Sequence, residues 1–101
     1  MAARFLIEVP HDGTLAACVQ AVQEFHKTGS HFMTHADWGC KDGVHKAWII
    51  VDVDSKDEAR ALVPPVLRSH AMIVQLNGFS PADVENLLSQ HPALRTAATP
   101  E

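Results

Sequence analysis

The chain has 101 residues, 47% of them apolar and 20% charged, enough for one modest hydrophobic core and one domain. Eight Lys plus Arg against twelve Asp plus Glu give a formal net charge of -4, which excludes the concentrated basic field that a nucleic-acid partner requires. No segment approaches the roughly 20 apolar residues that span a bilayer, and Met1 to Glu8 lacks the apolar run of a signal peptide. Two cysteines, Cys18 and Cys40, are too few for a disulfide framework. The expectation is a cytoplasmic protein with reduced thiols and no membrane contact.

In chain order, Phe5 to Val9 alternates Phe5, Ile7 and Val9 against Leu6 and Glu8 and stops at Pro10, the pattern of a short half-buried strand. His11-Asp12-Gly13 reads as a turn. From Thr14, Leu15, Cys18, Val19, Val22 and Phe25 recur at helical spacing, with His26 and Lys27 in the last turn and Gly29 just beyond. Two apolar arms, His31 to Cys40 and His45 to Asp54, flank Lys41-Asp42-Gly43-Val44, and a central Asp-Gly predicts a hairpin. Ser55-Lys56-Asp57-Glu58 has capping-box spacing and opens a helix through Ala59, Leu62 and Val63, which Pro64-Pro65 ends. Ala71 to Leu76 reads as a fourth strand. Ser80-Pro81 then starts a short terminal helix carrying Val84, Leu87 and Leu88 and closed by Pro92. The domain is expected to occupy residues 1–92 and a flexible tail residues 93–101.

The order strand, helix, strand, strand, helix, strand predicts an α+β fold, a ferredoxin-like βαββαβ sandwich with both helices on one face of a four-stranded antiparallel sheet and an extra C-terminal helix. A two-residue Asp42-Gly43 turn sets Cys40 opposite His45, Trp38 opposite Ala47, Ala36 opposite Ile49 and Thr34 opposite Val51. The other face then carries His31, Met33, His35, Asp37, Trp48, Ile50 and Asp52. It is too apolar for water and too polar for a dry core, so a second copy is expected to cover it and enclose a ligand cavity. A three-residue turn would exchange the two faces.

The element order over roughly residues 4–78, with Trp48-Ile49-Ile50-Val51-Asp52-Val53-Asp54-Ser55 leading into a capped helix, resembles the dimeric α+β barrel superfamily. That group includes muconolactone isomerase-like proteins, small quinone-forming monooxygenases, polyketide cyclases and stress-responsive barrel proteins. The chain is also similar to small nickel-binding ferredoxin-like proteins that keep His or Cys on the middle hairpin. The resemblance implies the fold and a homodimer through the open sheet face.

Seven histidines are many for this length, and His26, His31, His35 and His45 lie close in sequence to Asp37 and Cys40. His31 and His35 on one strand stand about 13 Å apart, too far to share one ion. His35 and Asp37, two apart, face the same side at about 6.8 Å and can converge on one ion or one substrate. Cys40 and His45, as cross-strand partners about 5 Å apart, suit zinc, copper or nickel. In the acid–base alternative His35, Asp37 and Asp52 are the catalytic candidates, with Glu8 brought near by the first strand and Met33, Trp48 and Ile50 lining a site for a flat ligand. The leading expectation is therefore a homodimeric small-molecule-binding barrel suited to isomerase, cyclase or cofactor-free monooxygenase chemistry. The alternative is a transition-metal protein using His31, His35, Asp37, Cys40 and His45. Cys18 reads as an inert member of a helix stripe, and His11, His26, His70 and His91 as ordinary loop or surface residues. Arg68 before the last strand is a candidate rim cation for an anionic substrate.

Overall fold

A computed structural model of the chain describes residues 2–27 and 34–93. Strands β1 (Ala3–Pro10), β2 (Asp37–Trp38), β3 (Lys46–Val53) and β4 (Met72–Leu76) and helices α1 (Leu15–Lys27), α2 (Lys56–Ala61), α3 (Pro65–Arg68) and α4 (Pro81–Gln90) follow in the chain order β1-α1-β2-β3-α2-α3-β4-α4. The strands form one antiparallel sheet in the order β2-β3-β1-β4. The fold is thus α+β with an open four-stranded sheet and four helices.

Period-two burial sorts the strand side chains. Phe5, Ile7 and Val9 of β1, Ala47, Ile49 and Val51 of β3 and Ile73 of β4 are buried and pack with Phe25 of α1, Ala59 of α2 and Val63 beyond it. Each buried Val, Ile or Phe of this set contributes roughly 1.5–3 kcal/mol by removal from water, and each alanine methyl less. No polar or charged residue is buried among those described. The opposite face, with Leu6, Glu8, Trp48, Ile50, Asp52, Met72 and Val74, is half-buried or exposed.

The local signals act as expected at several points. Ser55 caps α2 by accepting from the Glu58 N–H at 3.1 Å, while Glu58 Oε2 accepts from the Asp54 N–H at 2.9 Å. Around α4, Ser80 and Asp83 complete a reciprocal capping box with proline in the first turn. Pro64 ends α2 but is followed by a single further turn, α3, that the sequence reading did not anticipate. Two arginines brace this corner. Arg68 donates to the Val63 carbonyl at 2.9 and 3.1 Å and to the Ala61 carbonyl at 3.1 Å, and Arg60 donates to the carbonyls of Arg68 and Ala71. These carbonyls lie at and just beyond the ends of α2 and α3, where the helical ladder no longer supplies every partner. Arg68 is therefore a structural clamp rather than a cation at a rim.

The hairpin departs from expectation in its turn. Trp38 pairs with Ala47 and Asp37 with Trp48, so the register over these residues is the expected one and Trp38 faces the helices. The connection, however, is a 3-10 turn, Cys40–Asp42, closed by Gly43 in the left-handed region at φ 80°. Gly39 sends its N–H to the Lys46 carbonyl and accepts from the N–H groups of Asp42 and Val44. Cys40 therefore rises out of the ladder instead of pairing with His45. Thr34 and His35 lie in a 3-10 turn, so β2 is shorter than the arm predicted from His31. His31, Met33 and the Gly29 stop signal fall outside the described residues.

Candidate metal centre

β1 and β3 run antiparallel with Pro10 opposite Lys46, and the ladder continues one step further where the His11 N–H donates to the His45 carbonyl at 3.1 Å. The residue that leaves β1 is thereby fixed beside the turn that enters β3. At Gly13 the chain passes the His45 ring, 3.4 Å from where a Cβ would stand, an ordinary contact distance. Thr14 then opens α1, its hydroxyl accepting from the Ala17 N–H at 3.0 Å and its carbonyl from the Cys18 N–H at 3.0 Å. This cap sets Cys18 at the start of the helix, over the same end of the sheet. Cys40 arrives from the 3-10 turn.

The outcome is a group of half-buried soft ligands. A ring nitrogen of His11, Cys18 Sγ and Cys40 Sγ offer ligand atoms all within 4.8 Å of one another, and they are the one such group of three or more among the described residues. His11 Nε2 and Cys40 Sγ share a hydrogen bond of 3.1 Å. His45 stands edge-on to His11 with ring centroids 5.7 Å apart, and Trp38 tilts over His11 at 5.8 Å while packing on Phe25 at 4.7 Å. Both cysteines are free thiols. The Nδ1 atoms of His11 and His45 are buried with no hydrogen-bond partner, an arrangement that costs about 1–3 kcal/mol for each group.

Electrostatics push this cluster toward neutrality. Burial raises the Cys40 thiol, reinforced by the neighbouring Cys18. Burial lowers the His11 imidazole, with His45 adding to the effect and Asp12 opposing it. A cleft of about 630 Å³ between α1 and α3 has His11 in its wall.

The bare face holds a different constellation. Glu8, Trp48 and Asp37 form one row across β1, β3 and β2. Glu8 accepts from Trp48 Nε1 at 2.9 Å and from Lys46 Nζ at 3.4 Å. Its carboxyl is held below the ordinary 4.5, first by the indole N–H, with burial opposing and Lys46 adding to the lowering.

Placed on this map, the residues singled out from the sequence divide. Glu8, Trp48, Asp37 and Ile50 share the bare face, and so does Asp52, four residues along β3 from Trp48, about 13 Å by strand rise. His35 and Asp37 are exposed. Cys40 belongs to the soft-ligand cluster and His45 adjoins it. His11 and Cys18, read from the sequence as a loop residue and an inert helix residue, complete the cluster. A signal for His11 was present: antiparallel pairing of the first and third strands must bring the residue after Pro10 to the β2–β3 turn. Cys18 carried no such signal, because its position depends on how α1 lies over the sheet.

No family model, curated protein or solved structure matches the chain. Among the described residues no helix is long and apolar enough to cross a membrane.

Proposed function

We propose that the protein binds a thiophilic transition-metal ion, zinc or cuprous copper, through His11, Cys18 and Cys40, with His45 adjacent as a fourth donor. The observation that carries this reading is the convergence of the imidazole and two thiols, from three separate elements, to within 4.8 Å. Thiolate and imidazole are the donors these ions prefer. Zinc bonds of roughly 2.3 Å to sulfur and 2.0–2.1 Å to nitrogen put the donors of a tetrahedral site about 3.5–3.8 Å apart, so the three donors need shifts of roughly 1 Å, the wider separations closing from 4.8 Å or less and His11 and Cys40 opening from 3.1 Å. An ion replaces the thiol protons, occupies the imidazole and ties the start of α1 to the hairpin turn. The cleft that His11 borders offers a way in.

The test is titration of reduced protein, without a histidine tag, with zinc and with cobalt as a spectroscopic substitute. One equivalent should bind, with thiolate-to-cobalt charge-transfer absorption. Cys18→Ala and Cys40→Ala should each lower affinity by 100-fold or more, and His35→Ala should leave it unchanged. Binding indifferent to both cysteine variants would overturn the proposal.

A second reading concerns the bare face. We propose that the sheet belongs to a ferredoxin-like homodimer, as in dimeric α+β barrels, with a flat small molecule held near Trp48. Leu6, Ile50, Met72 and Val74 favour it by making this face apolar, and Glu8, fixed by Trp48 and Lys46, supplies an ionised group beside it. The acid–base chemistry first assigned to His35, Asp37 and Asp52 belongs to this reading. A Trp48 fluorescence change on binding an aromatic acid or enol, lost in Glu8→Ala, would support it.

A further inference from the structure

The chain has two cysteines in all, and both reach one place from different elements. Cys18 comes from the first turns of α1 and Cys40 from the 3-10 turn before β3, and their sulfurs stand within 4.8 Å. Neither is one of the buried residues of the apolar core, and both are half-buried free thiols. A disulfide holds its sulfurs about 2.05 Å apart. Changing the staggered rotamer of one cysteine moves its sulfur by roughly 3 Å, which is the whole distance to be closed. The two sulfurs can therefore serve an ion as two thiolates or be joined to each other, but not both at once.

We infer that Cys18 and Cys40 form a reversible disulfide, and that closing it empties the metal site. The second half rests on the metal reading of the cluster, and the first stands without it. The oxidant is a peroxide. The Cys40 sulfur attacks one oxygen of hydrogen peroxide, the O–O bond breaks, and a sulfenic acid and one water result. His11 Nε2, 3.1 Å from that sulfur, is placed to take the thiol proton and return it to the leaving hydroxide. The Cys18 sulfur then attacks that of Cys40. The S–S bond forms, the S–O bond breaks, and a second water leaves with the Cys18 proton. Each sulfur loses one electron and the peroxide gains two. A dithiol reverses the step by exchange. Once the sulfurs are joined neither is a thiolate, so the site keeps only imidazole donors. The bond also ties the start of α1 to the turn before β3, the same segments that an ion would join, so the fold is held in either state.

The test uses the full untagged chain, reduced and free of metal, treated with hydrogen peroxide. Intact mass should fall by about 2 Da, two hydrogens, with both free thiols lost and both restored by dithiothreitol, while circular dichroism stays unchanged. Equilibrated against a glutathione redox buffer, the folded chain should close the bond at least about 10-fold more favourably than the chain unfolded in urea, because the fold holds the sulfurs together. Zinc affinity of the oxidised protein should be lower by about 100-fold or more and should return on reduction. Mass gains of single oxygens or cross-linked dimers in place of the 2 Da loss would overturn the inference, as would equal closure in the folded and unfolded chains. Zinc bound equally well before and after closure would overturn the coupling and the metal reading together. Closure in a reduced protein that binds no zinc would overturn the metal reading alone and leave the redox pair supported.

Discussion

The two faces of one sheet treat polar groups in opposite ways. Under the helices, burial drives the Cys40 thiol up and the His11 imidazole down, each toward its uncharged form. On the bare face, Glu8 is drawn the other way, its carboxylate kept ionised by the Trp48 indole N–H and by Lys46. The difference lies in what can solvate the group. Where the helices half-bury the group, a neutral soft donor is the tolerable state, and an ion that accepts thiolate and imidazole together supplies the charge that makes the thiolates tolerable there. Where water reaches the sheet, a charged side chain can be held by one or two hydrogen bonds at little cost.

The sharpest way to test this contrast is to truncate one side chain on each side. Phe25, 1% exposed, packs on Trp38, and Phe25→Ala should destabilise by about 3–5 kcal/mol in denaturant unfolding. Ile50→Ala on the bare face should cost the monomer well under that, about 0.5 kcal/mol. A comparable loss from both, independent of protein concentration, would show that the bare face is covered within a single chain, whereas a loss that fades on dilution would point to a subunit contact.

Metal linkage comes next in size. At a free zinc concentration 100-fold above the dissociation constant, binding to the native state alone adds about 2.7 kcal/mol. Thermal unfolding of reduced wild type should therefore shift upward with zinc and return on chelation, and Cys18→Ala should show no shift. The same experiment on Glu8→Gln should reproduce the wild-type shift, because that residue lies on the other face.

How far the two faces could be read from sequence follows the same division. Alternation in Phe5 to Val9 and in Ala47 to Val53 assigned each residue to its side, and Trp38 opposite Ala47 was legible because the pairing sum through the turn happened to survive. The Ser55 and Ser80 caps were legible too, since capping depends on residues three apart. The turn itself was not. Gly39 is required there by close packing, a Cβ falling 2.6 Å from the Val44 carbonyl oxygen and 2.9 Å from Trp48 Cζ3, and no local signal distinguishes that demand from ordinary turn glycine. With Cys40 displaced by the 3-10 turn, its partners became His11, which the β1–β3 pairing carries to the turn, and Cys18, which only the docking of α1 brings near.

A cap substitution separates local from tertiary support. Ser55→Ala removes the acceptor for the Glu58 N–H and should cost about 1 kcal/mol, with no change in zinc affinity, as α2 contributes no ligand. Thr14→Ala removes the corresponding bond at the start of α1. It should cost a similar amount while also weakening zinc binding several-fold, because Cys18 is placed by that first turn. Equal metal affinity in the two variants would mean that the helix start does not position the thiol.

The smallest effect tests the bare face by pH. The Glu8 carboxyl lies below its ordinary 4.5 in the folded chain, chiefly through the Trp48 indole. The unfolded chain therefore takes up the proton first as pH falls. The stabilisation is fully present above the unfolded value and is lost progressively below it, as pH drops through the lower folded value. Because Glu8 meets water and Lys46 is exposed, the amplitude should stay under about 1 kcal/mol and shrink further with salt. Glu8→Gln keeps a hydrogen-bond acceptor for the indole but removes the titration, so its stability profile should flatten between pH 5 and pH 3 relative to wild type. Identical acid limbs in the two proteins would mean that the carboxylate is solvated as freely in the folded chain as in the unfolded one, and the row formed by Glu8 and Trp48 would then have no electrostatic organisation to offer a ligand.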